Sequence, residues 1–326
     1  SCAGEEGLHG TEEPPLIRVQ ASPSAGRFYV AASEIHGGEL LLQASTEAAV
    51  VHEALLSSVC AGCFVASASA RAPYTHCCQR CQYVYYCSSA CQSASASRHA
   101  LECEALGRLR SQRSKLDHVA TTRARLVLQV LCSRSNWSAR GERDPTKELC
   151  TGLEAFEAQK SWGERHKRYR AIYHAVNGAL GEGFPLLEAE VEELLGAIEC
   201  NSFGIWDYCS DRLLGMSVCV SASLFNHSCR PNVVRVTRGQ RLAFYALAPA
   251  KEGEPLCISY LDPRSERGQR RRELLDSYGF SCQCPRCAGK AKVPLPAMCS
   301  SKHLGYMVPG APGGEGPWCS VCGISG

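Results

Sequence analysis

The sequence predicts an α+β protein, and three observations along the chain support this class. Short runs rich in Val, Leu, Ile and Tyr, separated by Gly-containing turns, indicate β-strands before residue 60 and after residue 200. Apolar residues at helical spacing indicate helices between residues 104 and 199. The block at 60–103 is dense in cysteine and lacks a long apolar periodicity, so it needs a staple other than a hydrophobic core.

The predicted strands and helices follow in order along the chain. Residues 16–59 have the pattern of short strands and turns, and 232–236, 241–247 and 255–261 are further β-type runs. The helical region contains two apolar stripes, and we expect each helix to bury one stripe and expose its other face. The first stripe consists of Leu116, Val119, Val127, Val130 and Leu131, and the second of Val191, Leu194, Leu195 and Ile198.

Composition limits the classes of function. The chain has 326 residues, of which 45% are hydrophobic and 21% are charged, and this is typical of a globular protein with two or three compact units. A formal net charge of +3 does not indicate nucleic acid as a direct partner. No apolar run reaches the ~18 residues of a membrane-spanning helix, so we expect no membrane partner.

Cysteine is the unusual component, with 22 copies. Such a count comes either from disulfides in an oxidising compartment or from metal sites in a reducing one. Residues 1–15 are polar and acidic, and they lack the apolar segment of a signal peptide. We therefore expect a cytoplasmic or nuclear protein, or one present in both compartments, whose cysteines are metal ligands first.

Four pairs of potential metal ligands lie in the cysteine-dense block. Short spacing lets both members of a pair face one ion, and four pairs are enough for two tetrahedral zinc sites. Cys77 is a further candidate, but Cys78 gives the two-residue spacing to Cys81. A disulfide knot is the alternative, and the histidine argues against it. The pairs are Cys60 and Cys63, Cys78 and Cys81, Cys87 and Cys91, and His99 and Cys103.

These ligands resemble the MYND zinc finger, and the resemblance implies an interleaved pairing. Because all four positions on each ion would be filled, these zincs would be structural and would activate no water. The resemblance also suggests a peptide ligand of the finger as a partner, but Ala96 stands where this finger often has Trp. One zinc would be bound by Cys60, Cys63, Cys87 and Cys91, and the other by Cys78, Cys81, His99 and Cys103.

Three segments in the second half of the chain carry another resemblance. They are Asn-His-Ser-Cys at 226–229, a run at 257–262 and a cysteine-containing run at 278–287. Each segment alone has an ordinary explanation, such as a turn, a core aromatic residue or a lone metal knuckle. Together, in this order, they resemble a SET domain followed by post-SET cysteines, over about residues 16–289. In the SET-and-MYND family of protein-lysine methyltransferases the finger is inserted after the first SET strands, which agrees with the order in this chain.

The resemblance implies a small-sheet β SET core that is split by the MYND finger, with a helical insert and a zinc-binding post-SET segment. Metal binding would then contribute to folding alongside the hydrophobic core. The predicted parts are N-terminal SET strands at 16–59, the MYND finger at 60–103, the helical insert at 104–199, the SET catalytic core at 200–265, the post-SET segment at 266–289 and a cysteine-containing tail at 290–326.

Ligand counting predicts a third zinc site. Cys282, Cys284 and Cys287 are three ligands, and a closed site needs four, so Cys229 would complete the set. One ion would then tie the C-terminal segment over the catalytic core. In the tail, two further pairs would form a fourth zinc knuckle, and a disordered tail with incidental cysteines is the alternative. These pairs are Cys299 with His303 and Cys319 with Cys322.

The resemblance implies methyl transfer from S-adenosylmethionine to the ε-amine of a lysine in a protein substrate, histone or otherwise. Tyr260 would present its hydroxyl near the transferring methyl group, and Tyr278 would line the lysine channel. About 4 kcal/mol separates a lysine from its neutral form at neutral pH. An apolar channel and the sulfonium charge reduce that gap, so no dedicated general base is required. The cofactor-binding residues would be Arg27, Asn201, Ser223, Asn226, His227, Tyr260 and Phe280.

Two positions beside Gly26 and Arg27 depart from the family pattern. A basic residue and a second glycine are common there, and Ala25 and Phe28 occupy those places. Phe28 lacks the backbone freedom of glycine, so the cofactor carboxylate would rest on Arg27 alone. The main alternative is therefore a SET-like scaffold with weak or no turnover that recruits protein partners through its finger. Methylation of a non-protein amine is another.

Overall fold

The computed structural model describes residues 15–68, 72–112, 115–139, 141, 162–181, 184, 186–207, 210, 212–289, 294–299, 305–310, 316–323 and 325. These residues form both helices and short sheets, which confirms the predicted α+β class. Among them, no helix is both long and apolar enough to cross a lipid bilayer.

The strands are short and form small sheets. In the described part of the chain, β3, β10 and β11 make one three-stranded sheet, and β4, β7 and β8 make another. The strands are β1 (Ile17–Ser22), β2 (Gly26–Ala31), β3 (Leu40–Ser45), β4 (Ala48–Val51), β5 (His76–Cys77), β6 (Tyr85–Tyr86), β7 (Ser202–Asp207), β8 (Arg212–Val218), β9 (Asn226–His227), β10 (Val233–Arg238), β11 (Arg241–Ala246), β12 (Cys257–Ile258), β13 (Met307–Val308) and β14 (Trp318–Cys319).

Both three-stranded sheets join strands from before and after the cysteine-dense block. Strand β3 pairs antiparallel with β11, with Ser45 opposite Arg241, and β4 pairs antiparallel with β8, with Val51 opposite Gly215. A Cβ atom at Gly215 would collide with the carbonyl oxygen of Val50, so glycine permits the close approach of these two strands. The intervening finger and helices therefore interrupt a core that distant parts of the chain build together.

The core beside the β3–β11–β10 sheet follows the alternation of strand β11. Leu242, Phe244 and Ala246 are buried, while the residues between them are more exposed. Phe244 stacks on Phe225 with ring centroids 4.4 Å apart, and Phe225 contacts Tyr29 at 4.8 Å. Such aromatic pairs contribute about 0.5–1.5 kcal/mol beyond the area that they bury. This packing fixes Phe225, the residue directly before the Asn-His-Ser-Cys segment.

Six helices are present in the described residues, and the first begins inside the cysteine-dense block. Helix α1 starts at Ser89, well before residue 104. Its buried leucines, Leu106 and Leu109, lie only in its C-terminal half, so no apolar pattern marks its N-terminal half in the sequence. The division of the chain into domains at these boundaries stays a prediction. The helices are α1 (Ser89–Gln112), α2 (His118–Ala139), α3 (Trp162–Leu180), α4 (Glu188–Asn201), α5 (Arg267–Tyr278) and α6 (Pro285–Ala288).

Helix α2 lies at the centre of the helical part, and here the expectation of one buried stripe is wrong. The consecutive residues Leu126, Val127 and Leu128 are all fully buried, although successive residues of a helix point about 100° apart. The cause is that α2 packs against α1 and α3 and also against strand β4. Helix α4 does bury the predicted stripe, including Val191 and Leu195.

Candidate active site and metal centres

Two groups of potential metal ligands form in the finger, with the members that the interleaved pairing predicts. In the first group, the Cys63 and Cys87 sulfur atoms are 3.7 Å apart and those of Cys87 and Cys91 are 3.4 Å apart. All ligand atoms within each group lie within 4.8 Å of one another, as one ion requires. The groups are Cys60, Cys63, Cys87 and Cys91, and Cys78, Cys81, His99 and Cys103.

The second finger group combines three sulfur atoms with one imidazole. The Cys78 and Cys103 sulfur atoms are 3.7 Å apart, and Nε2 of His99 is 3.6 Å from the Cys81 sulfur. The other ring nitrogen of His99 faces a Glu102 carboxylate oxygen at 3.6 Å, and such outer contacts orient a metal-binding histidine. The Cys77 sulfur points instead to the carbonyl oxygen of Cys78, at 3.6 Å.

The third group brings Cys229 together with three cysteines that lie in helix α6 and just before it. Its sulfur lies 3.5 Å from that of Cys287 and 4.0 Å from that of Cys282, and all three of these cysteines are buried. Arg286 on α6 donates to the carbonyl oxygen of Cys229 at 2.7 Å. The chain therefore closes over the Asn-His-Ser-Cys segment with Cys229, Cys282, Cys284 and Cys287 in one group.

An aromatic cluster adjoins this third group. The rings of Tyr260 and Tyr278 have centroids 4.9 Å apart, and His227 lies 5.2 Å from Tyr260 and 6.1 Å from Phe280. The Tyr260 hydroxyl donates a hydrogen bond of 2.9 Å to the carbonyl oxygen of Phe225. Residues that are distant in sequence thus form one aromatic wall.

A cavity of about 400 Å³ lies next to this wall. Four of the predicted site residues line it, namely Asn201, Ser223, Tyr260 and Tyr278. The other predicted residues are not among its described lining. Those residues are Arg27, Asn226, His227 and Phe280.

The turn between β1 and β2 holds one of these outlying residues. The Asn226 amide donates a 3.0 Å hydrogen bond to the carbonyl oxygen of Ala25, next to Gly26 and Arg27. Gly26 has a φ of 64°, in the left-handed region that glycine adopts most readily. Asn226 is therefore joined to the β1–β2 turn and does not line the cavity.

The cavity also contains charged residues that the sequence motifs do not mark. Arg235 on strand β10 stacks over the Phe203 ring, with its guanidinium carbon 5.0 Å from the centroid. Arg123 forms an ion pair with Glu199 at 3.2 Å, and Arg165 approaches the same carboxylate at 3.8 Å. No local motif marks Arg235, because its role depends on strand pairing with distant segments.

The two tyrosines of the wall are neutral at physiological pH, and burial moves both further from ionisation. Burial raises the pKa of Tyr260, and the neighbouring Tyr278 raises that pKa further. Burial likewise raises the pKa of Tyr278, although the nearby Arg235 acts in the opposite direction. Both side chains are therefore phenols at physiological pH, so they can donate or accept hydrogen bonds and do not act as strong bases.

The tail contains a fourth group of sulfur atoms. Cys299, Cys319 and Cys322 lie within 4.8 Å of one another. The predicted partner His303 lies outside the described residues.

A model of the SET domain family matches residues 26–261, most of the chain, and the chain belongs to this family. The predicted resemblance to SET-and-MYND proteins is confirmed by its relatives. It is 25% identical over 317 residues to a SET and MYND domain-containing protein of Dictyostelium discoideum, covering 84% of this chain and 82% of that protein.

Two further relatives carry names that describe an activity. Histone-lysine N-methyltransferase ASHR1 of Arabidopsis thaliana is 28% identical over 279 residues, covering 85% of this chain and 56% of that protein. N-lysine methyltransferase SMYD2 of Gallus gallus is 29% identical over 286 residues, covering 86% of this chain and 62% of that protein. The chain thus spans little more than half the length of these two relatives.

Proposed function

We propose that the protein transfers a methyl group from S-adenosylmethionine to the ε-amine of a lysine in a protein substrate. The observation that carries this proposal is the pairing of Tyr260 and Tyr278, 4.9 Å apart, on a cavity beside the closed Cys229 group. Two relatives named as lysine methyltransferases support the same reaction. When bound, S-adenosylmethionine supplies an electrophilic methyl group.

Tyr260 is suited to orient groups in this reaction. Because its hydroxyl proton is used in the bond to the Phe225 carbonyl oxygen, the phenol oxygen presents its lone pairs to the cavity. A neutral oxygen of this kind accepts hydrogen bonds from an amine and favours nearby positive charge. Alignment of this type, rather than proton removal, is the work that the reaction requires.

The cavity also favours the neutral amine of lysine. Burial disfavours an ammonium ion, and the Arg235 guanidinium on the same cavity disfavours it further. Glu199 would act in the opposite direction, but Arg123 and Arg165 neutralise its carboxylate. A lysine that enters this cavity would therefore lose its proton to solvent more readily than in water.

The residues of the cavity fit the proposed cofactor chemically. An amide, a hydroxyl and neutral aromatic rings suit a ligand with polar groups and a flat base. Asn201, Ser223 and Tyr260 would contact it from the cavity, and Phe280 from the adjoining wall. His227 would contribute through its backbone, because both nitrogens of its ring already have partners. Arg27, and Asn226 through its bond to Ala25, would contact the cofactor at the β1–β2 turn.

Three structural zinc ions complete the proposal. Thiolate ligands suit zinc, and each group offers the four donors of a closed site. The first two ions would hold the finger, and the third would be bound by Cys229, Cys282, Cys284 and Cys287.

The experiment that tests the function is Tyr260→Phe, with Tyr245→Phe as the matched control. Purified protein is incubated with tritiated cofactor and a cell extract, and label on protein lysine is counted. We expect Tyr260→Phe to reduce transfer by roughly 10²–10³-fold, as loss of one oriented polar group does in other enzymes. Zinc content and circular dichroism should stay unchanged. Unchanged transfer in this variant removes the proposed role of Tyr260.

A scaffold without turnover is the second candidate, and the β1–β2 turn favours it. Phe28 is buried beside that turn, and the Asn226 amide is used to hold Ala25 rather than left open to a ligand. Calorimetry separates the two candidates. A methyltransferase binds S-adenosylmethionine, whereas a scaffold shows no heat of binding.

A further inference from the structure

The tail folds into a small antiparallel unit. Met298 forms a β-bridge with Tyr306, and β13 pairs with β14 so that Met307 lies opposite Cys319. The Cys299 backbone N–H also donates to the carbonyl oxygen of Gly305 at 2.9 Å. Three short segments are therefore aligned side by side, and they bring the sulfur atoms of Cys299, Cys319 and Cys322 within 4.8 Å of one another.

This unit is packed against the sheet of β3, β10 and β11, which we call the SET sheet. Tyr306 and Val308 are buried against Val234 and Leu247. Trp318 contacts Tyr245 of strand β11 edge to face, with ring centroids 5.1 Å apart. So few buried side chains seldom hold a unit of this size by themselves, and small domains usually add a metal or a disulfide.

The Cys319–Cys322 turn has the same geometry as two turns of the finger. Phe64 and Gln82 each follow a Cys-x2-Cys pair and donate their backbone N–H to the carbonyl oxygen of the first cysteine, at 2.9 and 2.8 Å. Both have positive φ, 60° and 51°, which is uncommon for residues other than glycine. Gly323 follows Cys322 in the tail, with a φ of 71° and a 2.9 Å bond to the carbonyl oxygen of Cys319.

Further features suit a metal-bound sulfur at Cys319. This cysteine is fully buried, and the Val321 backbone N–H lies 3.4 Å from its sulfur. Hydrogen-bond donors directed at a ligand atom in this way orient it toward a metal. Cys299 brings a third sulfur to the same point from another segment.

We propose that Cys299, Cys319 and Cys322 bind a further structural zinc ion, which closes the tail unit against the SET sheet. Three thiolates select a soft or borderline metal such as zinc. The described residues do not assign the fourth donor. This site is independent of methyl transfer, because it lies on the tail side of the sheet, with Trp318 against Tyr245, and not on the cavity of Tyr260.

Zinc content measured by mass spectrometry on the purified full chain tests this proposal. The wild type should contain about four zinc ions per chain, and Cys319→Ser/Cys322→Ser should contain about one fewer. Cys132→Ser is the matched control, because Cys132 lies on helix α2 outside the four cysteine groups, and it should leave the count unchanged. Limited proteolysis should cleave the tail faster in the double variant only.

An unchanged zinc count in a folded double variant overturns the proposal. A disulfide among these cysteines also overturns it, and it would appear as two missing thiols when the wild type is denatured without reductant. If the double variant does not fold, the zinc content of Cys299→Ser is compared with that of the wild type instead. About three ions in the wild type, with no decrease in Cys299→Ser, would exclude the site.

Discussion

The imidazole of His227 accepts a hydrogen bond from the backbone N–H of Tyr260, with 3.1 Å between Nδ1 and the amide nitrogen. The other ring nitrogen, Nε2, lies 3.2 Å from the Cys229 sulfur. Because Nδ1 is an acceptor, the ring proton lies on Nε2 and is directed at that sulfur. One ring therefore joins the third metal group to the backbone that carries the Tyr260 side chain.

This link makes His227 a positioning residue for Tyr260. We expect His227→Ala to reduce the rate of methyl transfer by about 10–100-fold, the usual effect of removing a group in the outer shell of a metal site. The rate constant should fall more than the cofactor affinity measured by calorimetry, because the substitution displaces Tyr260 and leaves Asn201 and Ser223 on the cavity in place. His174→Ala, at an exposed position of α3, is the control. Equal rates for both variants would contradict the link.

Cys77 and Cys78 provide a matched pair for the finger. Only Cys78 joins Cys81, His99 and Cys103, so Cys78→Ser should lower the zinc content by about one ion per chain. Cys77→Ser should leave it unchanged, because its sulfur faces a carbonyl oxygen. Structural zinc contributes about 10–16 kcal/mol to folding in zinc-finger peptides, so Cys78→Ser should also melt at a lower temperature. Zinc analysis and thermal melts check both results, and the reverse order would mean that Cys77 is the ligand.

The ligand groups could be predicted because their spacing is local information. Cys60 and Cys63 need only the turn between them to face one ion, and Cys229 could be added by counting donors. Strand pairing between β4 and β8 could not be predicted, because the close approach at Gly215 depends on a strand about 160 residues away in the chain. The burial of α2 on several sides and the placement of Arg235 on the cavity depend on the same distant packing.

A buried polar network around Arg125 also depends on packing between distant segments, and it gives a stability prediction. Arg125 donates to the Val51 carbonyl oxygen at 2.6 Å, faces Glu53 at 3.6 Å and lies over the Tyr83 ring. The Tyr83 hydroxyl donates to Glu53 at 2.9 Å, so the network joins the finger, α2 and the residues after β4. Removal of one partner leaves a buried charge without compensation.

Arg125→Met should therefore lower the free energy of unfolding by about 3–5 kcal/mol, since Glu53 stays buried without its cation. Urea denaturation followed by circular dichroism measures this change. Arg110→Met is the control, at an exposed site on α1, and it should change the free energy of unfolding by less than ~0.5 kcal/mol. A similar small change for Arg125→Met would show that the network contributes little to stability.

Alkaline pH should destabilise the fold through Tyr169 on helix α3. This side chain is fully buried, and burial, followed by the nearby Glu199, raises its pKa above the usual value of about 10. The folded state therefore retains the phenol proton at a pH where the unfolded state releases it. The stability that this group contributes is complete below pH ~10 and is lost as pH rises above that value, by up to ~1.4 kcal/mol per pH unit. Tyr169→Phe should flatten this decrease when its urea denaturation above pH ~10 is compared with that of the wild type. Identical slopes for Tyr169→Phe and the wild type would show that Tyr169 does not titrate differently in the two states.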